Sequence, residues 1–202
     1  MIEGINISKS FGKHVIFSDL NFFIDTGEFV CFSGESGAGK TTLLNIIGHI
    51  EPIDSGTVLI DGNTYVRNKE KINLYRNKIG FLFQNFALIE EKTVKENLKI
   101  VRKNDRTDCS ILEALDKVGL AGKINHKVYT LSGGEQQRVA LARLYIKQCD
   151  IVLADEPTGS LDRKNADNVM NILSNLNEQG KTIVLVTHDE NVRRRAQREI
   201  IL

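Results

Sequence analysis

The sequence of 202 residues has almost no net charge, few cysteines and prolines, and no long apolar run. Lysine and arginine number 27 against 26 acidic residues. This balance argues against a strongly basic nucleic-acid-binding protein, and we expect no nucleic acid partner. No apolar run reaches the ~18 residues that a membrane helix needs, and residues 1–4 lack the charged and apolar start of a secretory signal. Cys31, Cys109 and Cys149 lack CxxC spacing, which indicates neither a zinc site nor a disulfide framework. We therefore expect a soluble cytoplasmic protein.

Short apolar runs predict buried strands of a parallel sheet. Apolar residues make up 41% of the chain, which is enough for the core of one large domain. Residues 151–154 and 183–186 are wholly apolar, as in strands covered on both faces, and residues 28–33 are a third candidate. A helical spacing of apolar positions lies between the first two runs, at residues 166, 169, 173 and 176. Strand, helix and strand predict a right-handed crossover and an α/β core.

The middle of the chain has a helical pattern instead. A hydroxyl residue three positions before a glutamate is the spacing of a capping box, which begins a helix. Three such pairs occur in order: Thr93 with Glu96, Ser110 with Glu113, and Ser132 with Glu135. We therefore predict that residues 86–148 form a helical subdomain inserted between core strands. Shorter β-like stretches in the N-terminal third predict a small antiparallel sheet beside the core, at residues 5–7, 21–24 and 57–60.

Residues 34–42 fit the GxxxxGK[ST] pattern of a phosphate-binding loop. They read Gly34-Glu35-Ser36-Gly37-Ala38-Gly39-Lys40-Thr41-Thr42 and lie between a predicted strand and a predicted helix, as the pattern requires. The glycines let successive N–H groups point at one anion, and the helix beginning near Lys40 adds the positive end of its dipole. We expect Lys40 to contact the β- and γ-phosphates and the Thr41 hydroxyl to bind Mg²⁺. A glycine-rich turn is the structural alternative, and the loop alone predicts only a nucleotide.

Two acids and a histidine follow the buried strands. Asp155 and Glu156 come directly after residues 151–154, so a rigid strand would aim them at the phosphate loop. Because side chains alternate along a strand, we assign Asp155 to Mg²⁺ and Glu156 to polarising an attacking water. Acids that cap a strand or helix are the alternative. His188 follows the run at 183–186; a lone histidine there is more often structural, but a strand beside the acid pair would place it near a γ-phosphate.

A second glycine motif lies at residues 131–138, Leu131-Ser132-Gly133-Gly134-Glu135-Gln136-Gln137-Arg138. Each glycine in the first turn of a helix costs about 1 kcal/mol relative to alanine, which capping alone does not explain. Without side chains there, a large anion could approach the helix N-terminus. A second anion site distant from the first would need two nucleotides or a partner chain.

Taken in order, these motifs resemble those of the ATP-binding-cassette (ABC) ATPases over essentially the whole chain. The Walker A motif resembles residues 34–42, the signature motif residues 131–135, and the Walker B motif residues 151–156. The resemblance implies a P-loop NTPase fold with a RecA-like core, an antiparallel β-subdomain and an inserted α-helical subdomain. It implies one ATPase domain over residues 1–202, with the core in residues 1–85 and 149–202 and the helical subdomain in residues 86–148.

The resemblance also implies the site residues and the assembly. Two ATP molecules would lie in a head-to-tail dimer, each between the Walker A loop of one copy and Ser132, Gly133 and Gly134 of a second copy. Glu156 would be the general base and His188 the sensor of the γ-phosphate. The remaining motif residues and their implied partners are Gln84 (Mg²⁺ and the attacking water), Phe11 (adenine) and Asp162 (in the D-loop at residues 160–162).

Since the chain has no membrane segment of its own, a transport function would need a transmembrane permease subunit, and the ATPase would lie at the inner face of the cell membrane. In this family a coupling helix of the permease docks on the residues just after the glutamine of the Q-loop. That glutamine resembles Gln84 here, and the residues that follow it are 85–89. This stretch is unusually apolar for a surface loop, which is consistent with docking. Packing within the helical subdomain is the alternative interpretation.

Residues 83–89 and 155–162 look like the branch of macrolide exporters, lipoprotein-release ATPases and bacteriocin or antimicrobial-peptide exporters, and within it we favour peptide export or immunity. Glu35 stands where proline is usual, and residues 90–92 replace a proline-containing turn. A nucleotide-driven mechanical regulator of a membrane partner, without transport, is the alternative function. ABC proteins that act on DNA or ribosomes carry coiled-coil insertions or two cassettes, and neither is visible in this sequence.

Overall fold

The structure is a computed structural model, and it describes residues 1–159 and 161–202. A three-stranded antiparallel sheet has the order β2-β1-β4, formed by β1 (Ile2–Phe11), β2 (His14–Ile24) and β4 (Ser55–Ile60). The strands β1 and β2 form a hairpin whose turn contains Gly12, with φ of 60°. The antiparallel sheet predicted from the N-terminal third is therefore confirmed.

A five-stranded parallel sheet forms the centre of the fold, with the order β5-β6-β7-β3-β8. Its strands are β3 (Phe29–Ser33), β5 (Ile79–Leu82), β6 (Ile151–Asp155), β7 (Thr182–Val186) and β8 (Arg198–Ile201). Every residue of β3, β6 and β7 is buried. These three strands confirm the predictions from the apolar runs. Because they are parallel, their carboxyl ends meet at one edge of the sheet.

Seven α-helices connect or cover the strands within the described residues. They are α1 (Lys40–Ile47), α2 (Asn68–Asn77), α3 (Val94–Lys99), α4 (Ile111–Lys117), α5 (Gly133–Ile146), α6 (Arg163–Glu178) and α7 (Glu190–Arg193). The helix α6 connects the neighbouring strands β6 and β7 and so forms the predicted crossover. None of the helices in the described part of the chain has the length and apolar character needed to cross a membrane.

The helices α3, α4 and α5 lie between β5 and β6. All three predicted capping boxes form, and each begins one of these helices. This agreement has a local cause, because the two hydrogen bonds of a capping box join residues only three positions apart. The exact subdomain boundaries at residues 85/86 and 148/149 stay a prediction.

The core has two parts, one on each face of the parallel sheet. Alternate residues of the same strand enter different parts, as the two-residue period of a strand requires. Val152 and Ala154 of β6 face α5 and α6, whereas Ile151 and Leu153 face α1 and the antiparallel sheet. The central strands are therefore held from both sides. This burial fixes the edge from which the polar residues at positions 155, 156, 187 and 188 project.

Candidate active site

The predicted phosphate loop connects β3 to α1. Gly37 and Gly39 have φ of 87° and 84°, in the left-handed region that favours glycine. A Cβ on Gly39 would lie 2.2 Å from Ile16 Cγ2 and 2.7 Å from Phe17 Cε1, because the antiparallel sheet packs directly against the loop. The side chains of β2 therefore leave room only for glycine at position 39. The predicted residues Ser36, Ala38 and Thr42 lie in the same loop or in the first turn of α1.

The Lys40 side chain at the end of this loop bonds back to the residues at its beginning. Its Nζ donates to the carbonyl oxygens of Gly34 at 2.9 Å and Glu35 at 2.7 Å. No side chain of the described residues caps α1, and its first turn has no acidic residue, so α1 itself supplies no carboxylate at the positive end of its dipole. A loop of this shape around an ammonium group fits the phosphates of a nucleotide.

Thr41 and Asp155 meet across the site although 114 positions separate them. Thr41 Oγ1 donates to Asp155 Oδ1 at 2.9 Å. Burial raises the pKa of Asp155, and the hydrogen bond from Thr41 partly opposes that shift. A hydroxyl and a buried carboxylate are hard oxygen ligands of the kind that Mg²⁺ prefers, with phosphate oxygens and water completing its shell. The described residues contain no group of three His, Cys, Asp or Glu side chains that could hold a metal ion by themselves.

Glu156 lies beyond the end of β6, with φ of 42°. Its N–H donates to the carbonyl of Val186 at 3.0 Å. The carboxylate accepts a hydrogen bond from Thr187 Oγ1 at 2.9 Å, and its Oε1 lies 2.7 Å from His188 Nδ1. The prediction that Glu156 diverges from Asp155 through strand alternation is therefore wrong. A left-handed turn carries Glu156 sideways to the end of the neighbouring strand β7.

The structure brings His188 to Glu156, as expected if its strand lay beside the acid pair. His188 is exposed, whereas only 14% of the Glu156 side chain is exposed. Thr187, which is buried, thus holds the Glu156 carboxylate on the protein side, and the His188 imidazole lies on the solvent side. Sequence reasoning did not assign a role to Thr187, and its only signal is a hydroxyl directly after a buried apolar run.

The second glycine motif lies at the N-terminus of α5. Ser132 Oγ accepts from the Glu135 N–H at 3.3 Å, and Glu135 Oε2 accepts from the Ser132 N–H at 2.9 Å. The backbone bond at Ser132 is the main cause that lowers the pKa of Glu135. A Cβ on Gly133 would meet no atom of the described residues within 4 Å, whereas one on Gly134 would lie 2.8 Å from Asn165 Cγ.

The two glycines therefore have different causes. Gly133 leaves an open surface at the N-terminus of the helix. Gly134 is buried, and it lacks a side chain because α6 packs against it. The expectation that both glycines clear space for an anion stays a prediction at position 133, while packing accounts for position 134.

Asp162 caps the N-terminus of α6, and Asn165 in the first turn of α6 connects this helix to α5. Its Oδ1 accepts from the Asn165 N–H at 2.9 Å, and its Oδ2 accepts from Asn165 Nδ2. Arg138 of α5 donates to Asn165 Oδ1. On the same helix, Gln137 is buried and its Nε2 donates to the carbonyl of Pro157 at 2.9 Å. Ser160 of the predicted D-loop lies outside the described residues.

Gln84 and Phe11 lie at the margins of this arrangement. Gln84 is exposed in the turn after β5, and the structure does not bring its side chain into the Glu156 cluster. Phe11 is 50% exposed at the end of β1, in the sheet whose Ile16 and Phe17 contact the phosphate loop. Lys9 Nζ lies 4.7 Å from the centroid of its ring.

Some of residues 85–89 pack inside the protein and others are exposed, so the segment fits both internal packing and docking of a partner in part. Phe86 and Leu88 pack against the core cluster beneath the helical segments, whereas Ile89 is 44% exposed. The apolar character of the segment is therefore explained in part by internal packing.

The phosphate loop, the Thr41–Asp155 pair and the Glu156 cluster lie at the carboxyl ends of β3, β6 and β7. This arrangement defines a P-loop nucleoside triphosphatase.

Comparison with known proteins identifies the family. Residues 17–159 match the ABC transporter family. The chain is 44% identical over 202 residues to the macrolide export ATP-binding/permease protein MacB of Campylobacter jejuni, covering 96% of this chain and 32% of that protein. It is 41% identical over 208 residues to the lipoprotein-releasing system ATP-binding protein LolD of Bacteroides thetaiotaomicron, covering 99% of this chain and 95% of that protein. The chain thus spans about a third of the macrolide exporter's length (32%) and nearly all of LolD's (95%).

A solved structure agrees with these relatives. The dimeric post-hydrolysis state of the ATP-binding cassette MJ0796, bound to ADP and Pi, matches with a TM-score of 0.88 and 39% identity, covering 100% of this chain and 94% of that chain. The chain belongs to the ABC transporter family and is an ATP-binding cassette with the fold of that ATPase family. The predicted family, fold class and macrolide-export and lipoprotein-release branch are confirmed. Peptide export within that branch stays a prediction.

Proposed function

We propose that this cassette powers a membrane transporter by hydrolysing Mg²⁺–ATP at sites shared between two head-to-tail copies of the chain. The observation that carries the proposal is the Glu156 carboxylate, held between Thr187 and His188 beside the phosphate loop. A carboxylate fixed by two neighbours and partly removed from water suits a general base.

Glu156 orients the attacking water and accepts its proton. The Thr187 hydroxyl fixes one carboxylate oxygen, and the contact with His188 Nδ1 fixes the other, so the side chain loses little rotational freedom on reaching the reactive geometry. The exposed imidazole of His188 senses the γ-phosphate. Gln84, in the turn after β5, completes the contacts to the water and the metal.

Lys40 and the loop bind the triphosphate. The ammonium group, which now contacts the carbonyls of Gly34 and Glu35, turns to the β- and γ-phosphate oxygens. Thr41, Asp155 and Gln84 would hold Mg²⁺, which when bound would neutralise charge on the transferred phosphoryl group. Phe11 stacks against the adenine ring, a contact worth about 1–3 kcal/mol.

A second copy completes each site. Ser132, the open Gly133 and Gly134 of the partner copy present the N-terminus of α5 to the γ-phosphate, with Asp162 beside it. ATP then holds the two copies together, and loss of phosphate removes the anion that joins them.

The membrane partner is a transmembrane permease. The names of the relatives, a macrolide export ATP-binding/permease protein and a lipoprotein-releasing system ATP-binding protein, support a role in export of a peptide, bacteriocin, antibiotic or lipoprotein. The cassette then lies in the cytoplasm at the inner face of the cell membrane, with residues 85–89 and their exposed Ile89 towards the permease.

Glu156→Gln tests the proposal, because glutamine keeps the hydrogen bond from Thr187 and cannot accept the proton. We expect ATP binding to persist, turnover to fall by ~10²–10⁴, and the ATP-bound variant to elute as a dimer in gel filtration. A variant that stays a monomer at saturating ATP would contradict the shared site. Turnover close to that of the unmodified chain would refute the role of Glu156.

A further inference from the structure

The loop after β5 holds two consecutive residues in the left-handed region, and neither is glycine. Phe86 has φ of 62° and Ala87 has φ of 46°. Residues with a Cβ rarely adopt this conformation unless surrounding contacts impose it. Local bonds join the Phe86 N–H to the Phe83 carbonyl at 2.9 Å and the Ala87 N–H to the Asn85 carbonyl at 2.7 Å. These bonds use the N–H groups of the turn, so its carbonyls need donors from elsewhere.

Arg143 of α5 provides those donors. Its two terminal nitrogens donate to consecutive carbonyls, NH1 to Ala87 at 2.7 Å and NH2 to Phe86 at 3.0 Å. A planar guanidinium can make two such bonds side by side, which a single ammonium group cannot reproduce. Burial lowers the pKa of Arg143, but the group remains charged at neutral pH. A charged side chain thus donates hydrogen bonds to two backbone carbonyls of a strained loop.

The position of Arg143 on α5 shows which two parts of the chain this contact joins. The same helix begins at Ser132 and Gly133, about 16 Å away along the helix axis by the rise per residue of an α-helix. The Phe86 turn, in contrast, comes only two residues after Gln84. Arg143 therefore connects α5, which begins at the signature motif, to the loop that carries Gln84.

We propose that Arg143 is a positioning residue, which locks the Gln84 loop to α5 so that Gln84 moves together with Ser132 and Gly133. The inference rests on the proposed function, which gives Gln84 its role in the reaction. Closure of two copies would shift α5, and the guanidinium fork would transmit that shift to the loop. Gln84 would then reach the reacting atoms only when the shared site is complete.

Arg143→Lys is the sharpest variant, because it keeps the charge and removes the fork. Hydrogen–deuterium exchange of the full chain without nucleotide should show the amides of Phe86 and Ala87 exchanging about 10- to 100-fold faster, the range for losing a hydrogen bond to a charged donor. In steady-state ATP hydrolysis we expect kcat to fall by about 10- to 100-fold while KM for ATP stays unchanged, since the phosphate loop is not altered.

Lys147→Gln is the matched control. Lys147 is the C-cap of α5, one turn after Arg143, and its Nζ also donates to backbone carbonyls, those of Tyr75 and Arg76 in α2. This variant therefore removes a cation–carbonyl contact from the same helix without touching the loop. We expect exchange at Phe86 and Ala87, and kcat, to stay at the values of the unmodified chain.

Three results would overturn the proposal. The first is unchanged exchange at Phe86 and Ala87 in Arg143→Lys, because the guanidinium would then not hold the loop. The second is faster exchange with an unchanged kcat, because the contact would then serve stability alone. The third comes from a double-mutant cycle: if Arg143 acts through Gln84, Arg143→Lys has no further effect on kcat in a Gln84→Ala background, and an additive loss contradicts this.

The failure of the proposed function would look different. If Gln84→Ala alone leaves kcat unchanged, the role given to Gln84 in hydrolysis is refuted. The positioning of Gln84 by Arg143 then has no catalytic consequence, while the exchange measurement still reports whether Arg143 holds the loop.

Discussion

Alanine substitutions at the two adjacent glycines of the signature motif should affect the stability of the fold and ATP turnover separately. Neither Gly133 nor Gly134 has a positive φ, so alanine causes no backbone strain at either position. A Cβ at position 134 would lie 2.8 Å, 3.0 Å and 3.1 Å from the Cγ, Oδ1 and Nδ2 atoms of Asn165. Asn165 cannot move freely, because Asp162 and Arg138 both hold its amide group.

Gly134→Ala should therefore destabilise the fold. Overpacking of this kind costs about 1–3 kcal/mol, and displacement of Asn165 would weaken hydrogen bonds worth about 0.5–1.5 kcal/mol each. The helix propensity of alanine returns up to about 1 kcal/mol. The net loss of about 1–3 kcal/mol corresponds to a Tm lower by about 2–12 °C for a chain of this size.

Gly133→Ala should act in the opposite way. Within the described part of the chain, no atom lies within 4 Å of its Cβ position, so the isolated chain should gain up to about 1 kcal/mol of stability from helix propensity. In the shared site, however, the methyl group would stand where the partner's triphosphate approaches. Overpacking of about 1–3 kcal/mol there predicts ATP turnover lower by about 5- to 150-fold.

Urea unfolding and steady-state ATP hydrolysis of both variants provide the assay. The reasoning about packing is refuted if Gly133→Ala destabilises the chain as much as Gly134→Ala does. The shared-site proposal is refuted if Gly133→Ala hydrolyses ATP at the rate of the unmodified chain. Only the combination of a stable but slow Gly133→Ala and an unstable Gly134→Ala agrees with both.

Two further predictions use other features of the chain. Ser132→Ala and Ser110→Ala each remove a capping box of the same geometry and should each cost about 1 kcal/mol in urea unfolding, but only Ser132→Ala should also lower ATP turnover; equal turnover in the two variants would argue against a role for Ser132 in the site. Burial, together with the nearby charge of Lys71, lowers the pKa of His49 from 6.5 to about 4. Between these two pH values the unfolded chain takes up a proton that the folded chain does not, so the stability that His49 contributes above pH 6.5 is lost as the pH falls towards 4. His49→Asn, which tolerates the φ of 55° at this position, should flatten that part of the curve of unfolding free energy against pH, and an unchanged slope would contradict the assignment.

Much of the fold could be predicted because its determinants are local. The capping boxes at Thr93, Ser110 and Ser132 each depend on hydrogen bonds that span three residues, and the apolar runs of β6 and β7 reflect burial on both faces. The meeting of Thr41 with Asp155 is also consistent with the sequence, because parallel strands bring their carboxyl ends to one edge.

Other features could not be predicted, because they depend on how elements far apart in sequence pack together. The left-handed turn at Glu156 follows from its bond to Val186 of the neighbouring strand, and strand alternation gave the wrong reason for its direction. The closeness of α6 to Gly134 has no sequence signal beyond the glycine itself, which is equally suited to the approach of an anion.

The sequence by itself determined the nucleotide chemistry of this chain. The ammonium and hydroxyl groups of Lys40 and Thr41 stand in a motif whose spacing fixes their local geometry, and the carboxylates of Asp155 and Glu156 directly follow an apolar run. Only the tertiary structure decided how these motifs are joined, through contacts such as the one between Arg143 and Ala87, 56 positions apart. The physical reason is that a hydrogen bond within one turn depends on its own residues, whereas a contact between a helix and a distant loop depends on the packing of every element between them.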